Sequence, residues 1–114
     1  MRPGEIYLAK FPFGDVPGMK LRPVLLLTGP VGAVPEILVA YISSVVPTRL
    51  LPSDVVIDPS TPEFLSSGLK VISVLRLHKM ATIHVSSLAR KLGDLHPSRY
   101  TVITGKLQVL LAIN

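Results

Sequence analysis

The sequence predicts a small, strongly curved β-barrel closed by a C-terminal α-helix, a mainly β domain. Three observations carry that prediction. Eleven prolines and eight glycines cut the 114 residues into short pieces, the punctuation of many strands joined by turns. The apolar runs between the cuts have the length of strands rather than of helices. Only the last stretch changes its apolar period from two to about 3.6.

The elements follow in order. Residues 5–11 (EIYLAKF) alternate Ile6, Leu8 and Lys10 with Tyr7, Ala9 and Phe11, the signature of a first strand. Residues 12–20 form a loop, because Pro, Gly and Asp are turn formers. Residues 24–28 (VLLLT) are continuously apolar, as in a strand buried on both faces, and residues 37–43 (ILVAYIS) repeat that pattern. Strands at 54–58 and 71–77 follow, separated by the turn-rich connector PSTPEFLSSGLK, and short β pieces continue at 81–84 and around Leu92. Pro97 suits a first helical turn. Beyond it Tyr100, Ile103, Leu107, Leu110 and Leu111 share one helical face, with Gly105 as the weak point, and the ending LLAIN reads as buried packing.

At this length residues 1–114 are expected to form one domain with its own core. No cysteine is present, so disulfides and thiolate metal sites are excluded. The opening MRPGEIYLAKF lacks an apolar stretch of signal-peptide length. The longest uncharged run, residues 23–35, is broken by Gly and Pro and is too short to span a bilayer. A soluble, cytoplasmic protein without membrane attachment is expected. With 48% apolar residues, the chain holds more than one small core needs, which implies a buried homodimer face. The net charge of +5 fits a phosphate-backbone partner or an acidic protein segment.

Two basic segments about fifty residues apart offer chemistry. Lys20 and Arg22 end the first loop, and the proline after Arg22 holds that arginine extended. A guanidinium on such a base forks onto two phosphate oxygens or packs its stem over the barrel rim. Ser43 and Ser44 end the central apolar strand with two hydroxyls, which donate to a phosphate or satisfy a turn. In the run SVLRLHKMATI, period two puts Arg76 and His78 on one face and Leu75, Leu77 and Lys79 on the other. A fixed cation beside a group titrating near neutrality suits acid–base work on a phosphodiester, and equally describes a solvated strand face. His84 and His96 read as surface or capping residues, and no metal site or cofactor motif is recognisable. Six aromatics, among them Tyr7, Phe11, Phe13 and Tyr41, provide stacking for one or two bases at most.

The chain resembles the MazF/PemK-type toxins of type II toxin–antitoxin pairs over nearly its whole length. The segments GEIYLAKFPFGD, PGMKLRP with VLLLT, AYISS, GLKVISVLRLHKMATI and LARKLGDL stand in the family's order and approximate spacing. That resemblance implies an SH3-like barrel and a homodimer. It also implies a metal-independent endoribonuclease that cuts single-stranded RNA through attack by the ribose 2′-hydroxyl. The products are a cyclic phosphate and a free 5′-hydroxyl, and the neutralising partner is a cognate antitoxin with an acidic, disordered segment. Carried over by position, the catalytic residues are Arg22, Ser43 (usually threonine in the family), Arg76 and His78, the last standing where founding members carry a carboxylate. Lys20, Arg22, Ser44 and Lys79 are the expected RNA contacts. Two other readings share the fold: a gyrase-binding toxin of the CcdB type, whose Trp-containing tail this chain lacks, and a nucleic-acid-binding remnant that does not cut.

Overall fold

Apolar residues bury both faces of one curled sheet in the computed structural model, which describes residues 1–11 and 20–113. Six strands are hydrogen-bonded in the order β4-β5-β3-β2-β1-β6. They are β1 (Glu5–Phe11), β2 (Lys20–Leu26), β3 (Glu36–Ser43), β4 (Asp54–Ile57), β5 (Ser73–His84) and β6 (Leu88–Asp94). Every paired neighbour is antiparallel. The helix α1 (Tyr100–Leu110) follows a 3-10 turn that begins at Pro97. The mainly β prediction with a closing helix is therefore met, as an open sheet whose edges are β4 and β6. The predicted loop at 12–20 falls outside the described residues except for Lys20, which is the first residue of β2.

Continuous apolar runs go where both faces of the sheet are covered. In β2, Val24 and Leu26 join Ala9, Phe11, Val39 and Ile83 in one cluster, whereas Leu25 joins Ile6, Ile42, Leu75 and Leu77 in another. Each such side chain, fully removed from water, contributes about 1.5–3 kcal/mol before the entropy of ordering is subtracted. The strand expected at 24–28 begins earlier, at Lys20, because Leu21–Pro23 still pair with β1. The pieces expected at 71–77 and 81–84 are one strand, β5. A register shift joins its two halves, since Tyr41 pairs with Arg76 while the preceding Ala40 pairs with Met80. Residues 77–79 therefore bulge out against β3, and strict alternation fails there.

A glycine seam ties the β6 edge to the connector. Gly68 ends the 3-10 turn Pro62–Ser67 at φ +73°, a left-handed conformation, and a Cβ there would strike the Leu92 carbonyl. A Cβ on Gly93 would strike the backbone of Ser66 and Ser67. Only glycine permits both approaches. On α1 the predicted apolar face is half right. Ile103 is buried and Leu107 partly so, but Leu110, Leu111 and Ile113 are exposed in the single chain, contrary to the expected burial of LLAIN. The helix rides on the sheet along its first two turns, and its end runs past it.

Candidate active site

Cross-strand register builds the site. Tyr41 of β3 lies opposite Val24 of β2 on one side and Arg76 of β5 on the other. Asp54 of β4 lies opposite Arg76 in turn. Extending the β2–β3 register by two residues brings Arg22 level with Ser43. Antiparallel partners point to the same face, so Arg22, Ser43, Tyr41, Arg76 and Asp54 form a transverse set. Arg22, Ser43, Ser44 and Tyr41 line one cavity of about 390 Å³ at the end of the sheet. Arg76, His78, Lys79 and Lys20 are not in its wall. The structure thus gathers Arg22, Ser43 and Ser44 into the cavity and leaves Arg76, His78 and Lys79 on β5 and Lys20 at the start of β2 outside its wall.

Ser43 is buried at the end of β3, and its Oγ accepts a 3.0 Å hydrogen bond from the Val45 N–H. Its own O–H reaches the Val45 carbonyl at 3.3 Å, a long bond for a hydroxyl donor. The oxygen is therefore fixed while the proton remains free to turn toward a better acceptor. Arg22 is half-buried at the cavity rim, and its Nη1 contacts the Leu21 carbonyl at 3.4 Å.

Arg76 is held by a carboxylate that the sequence did not single out. Its Nε donates to Asp54 Oδ1 at 2.8 Å, and Asp54 Oδ2 accepts from the Leu51 N–H at 2.8 Å. The Asp54 side chain is wholly buried and that of Arg76 is 17% exposed. Both carboxylate oxygens are thereby used, so Asp54 orients Arg76. No local motif announces Asp54, because its partner lies on another strand.

The bulge corrects the predicted alternation of β5. Lys79 is exposed, not on the buried face, and its Nζ sits 5.7 Å from the Tyr41 ring centroid, where a cation meets the negative face of the ring. Tyr41 also tilts against Phe11, with centroids 5.4 Å apart. His78 is exposed on the same bulge. Its pKa is lowered from 6.5, first by loss of water around the ring, then by the Arg76 charge and, less, by Lys79, against an opposing pull from Asp54. The neutral, proton-accepting imidazole is therefore favoured, as expected, with desolvation as the larger cause. His84 and His96 cap 3-10 turns, accepting from the Ser86 and Ser98 N–H groups. Among the described residues no cluster of three His, Cys, Asp or Glu could hold a metal ion. Among the described residues no helix is long and apolar enough to cross a membrane.

A groove at the end of a small antiparallel sheet, lined by arginine and hydroxyls, is chemically suited to an anion. The comparisons give the domain its family. Residues 2–111 match the family of PemK-like, MazF-like toxins of type II toxin–antitoxin systems, and the chain belongs to it. Among solved structures, the Mycobacterium tuberculosis toxin MazF-mt6 is 27% identical with a TM-score of 0.74, covering 96% of this chain and 98% of that one. An endoribonuclease from Mycobacterial species, solved in complex with its cognate antitoxin, has a TM-score of 0.68 at 17% identity, covering 100% and 97%. A structure described as an Mtb toxin is 29% identical with a TM-score of 0.61, covering 77% and 90%. No curated protein matches the sequence.

Proposed function

We propose that this toxin is a metal-independent endoribonuclease that cuts single-stranded RNA at the cavity between β2 and β3. The observation that carries the reading is the convergence of Arg22, Ser43 and Ser44 on a cavity with no acidic residue among the described residues that line it. A phosphodiester brought there meets a guanidinium and two hydroxyls and no repelling charge.

The ribose 2′-hydroxyl loses its proton and its oxygen attacks the adjacent phosphorus. The bond from phosphorus to the 5′-oxygen breaks, and that oxygen takes up a proton. A 2′,3′-cyclic phosphate and a free 5′-hydroxyl result. The pentacoordinate transition state carries extra charge on its equatorial oxygens. Arg22 forks onto the two non-bridging ones, the third being the 3′-ester oxygen, and the Ser43 proton turns from the Val45 carbonyl to one of the same pair. His78, held neutral, accepts the 2′ proton from an RNA strand that crosses Tyr41 between the cavity and the β5 bulge, and Arg76 stabilises the charge beside it. Lys20, Ser44 and Lys79 contact the strand on either side.

The working unit is a homodimer in the cytoplasm. Its support is the exposed apolar surface of α1, where Val102, Val109 and Leu110 line a cavity with Pro52. An acidic, initially disordered antitoxin segment that mimics phosphates with carboxylates occupies the same groove and displaces RNA. The test is incubation of the purified protein with a long RNA in EDTA. Discrete fragments are expected. Intact RNA that shifts on a gel would instead make the protein a non-cutting binder.

A further inference from the structure

Two cations in the cavity have no part in the scheme above. Lys70, just after the connector turn, and Arg90, on β6, line the same cavity as Arg22. Neither has an ion pair or side-chain hydrogen bond among the described residues. The glycine seam fixes their relation. Gly68 lies two residues before Lys70 and packs on the carbonyl of Leu92, two residues after Arg90. Two segments thus present like charges to one cavity with no acid among the described residues that line it. Such an arrangement is unfavourable when empty and is relieved by an anion. The remaining wall is apolar, with Leu8, Leu69 and Leu92 beside the cations. A cavity of about 390 Å³ is within the range of small-ligand sites, and its two chemistries match a nucleotide, a flat apolar base joined to a phosphate.

Resting on the endoribonuclease reading, we propose that this wall is a subsite for one nucleotide flanking the cut, with its phosphates on Lys70 and Arg90 and its base against Leu8, Leu69 and Leu92. Arg22 and Ser43 face the scissile phosphate, and Lys70 and Arg90 hold the neighbour. The subsite sets how tightly the strand is held and leaves the chemical step to Arg22.

The probe is a mixed-sequence 2′-O-methyl RNA of twenty nucleotides, which binds but lacks the attacking hydroxyl. Its affinity is measured against salt concentration by fluorescence anisotropy. The Lys70→Ala/Arg90→Ala protein should bind about tenfold more weakly at low salt, with a salt slope smaller by about 1.4, because two single-strand phosphate contacts are lost at about 0.7 each. Lys70→Arg/Arg90→Lys should keep the slope. Arg2→Ala/Lys106→Ala, removing two charges outside the cavity, should change it by less than half as much. Both cavity cations are exposed, so the double variant should melt like the parent. On cleavable RNA it should raise KM and leave kcat within about threefold. A salt slope unchanged in the double variant, while the parent cuts RNA, would overturn the subsite alone. A parent that neither binds nor cuts would overturn the endoribonuclease reading with it. A double variant that loses affinity for an acidic peptide but not for RNA would assign the subsite to the antitoxin and overturn the proposal.

Discussion

At the scale of single residues, the pair Asp54–Arg76 decides how much freedom the second arginine has. Burying a carboxylate is tolerated here because both its oxygens are bonded, one to Arg76 and one to the Leu51 N–H. Removing one partner of a buried pair costs about 3–5 kcal/mol, since the other charge is left without compensation. Asp54→Asn should therefore lower stability by about 2–3 kcal/mol in urea melts, because the amide keeps part of the bonding. Cleavage should fall further than the loss of folded protein explains, as Arg76 loses its anchor. His78 makes a different prediction. Its pKa lies below 6.5, so a base with this titration gains its working form as pH rises through that lower value. The cleavage rate should climb through mildly acidic pH and level off before neutrality. His78→Ala should flatten that limb, and a mutant that retained it would reduce His78 to a surface residue. The grouping of Arg22 with Ser43 and Ser44 came from the family resemblance, while the residues alone gave only an arginine at a loop end and two hydroxyls at a strand end. Asp54, Lys70 and Arg90 were not singled out, although the last two stand inside the segments GLKVISVLRLHKMATI and LARKLGDL that carry the family resemblance. Their meaning comes from contacts across strands far apart in the chain, and period two along one strand cannot report those.

Elements behave as the sequence foretold wherever one face or two faces are plainly apolar, and depart from it where pairing overrides pattern. Strand β1 spans Glu5–Phe11 as expected, because its side chains alternate without a break there. Strand β5 runs across two expected pieces because a bulge keeps the hydrogen-bonded ladder going past residues 77–79. A bulge has no sequence signature when no glycine marks it, and Lys79 was assigned to the wrong face for that reason. The edge formed by β1 and β6 also carries an acid-sensitive clasp. Lys91 Nζ bonds Glu5 Oε2 at 2.9 Å, the Arg2 N–H bonds Glu5 Oε1 at 2.7 Å, and the Glu5 pKa falls from 4.5 to about 2, chiefly through the Lys91 bond and against burial. A carboxyl whose pKa is lower when folded adds stability above its unfolded value. That stability, about 1–2 kcal/mol after allowance for the exposed Lys91, should be complete above pH 4.5 and vanish as pH falls toward 2. Glu5→Gln should remove this part of the acid sensitivity, measured as the difference in melting temperature between pH 6 and pH 3.

On the scale of the whole molecule, the fold leaves apolar side chains of α1 exposed in the single chain. Val109 is 79% exposed and Val102 44%, so a charge placed there disturbs no internal packing. On the proposed homodimer, Val109→Glu should leave the melting curve of the protomer nearly unchanged yet turn a dimeric parent into a monomer by analytical ultracentrifugation. A variant that stayed dimeric would move the dimer face elsewhere. The sequence reading anticipated surplus apolar surface but mistook the terminal leucines for core, since composition counts apolar residues without saying which of them one chain buries. The central claim is that Arg22 stabilises a phosphorane formed by attack of the RNA's own 2′-hydroxyl. The most direct measurement maps the end groups left on a long RNA by the parent protein and by a folded Arg22→Ala variant, both in EDTA. The expected result is 2′,3′-cyclic phosphate and 5′-hydroxyl ends from the parent, and a rate lower by about 10²–10³ or more from the variant. Fragments ending in 5′-phosphate, or an unimpaired Arg22→Ala protein, would contradict it.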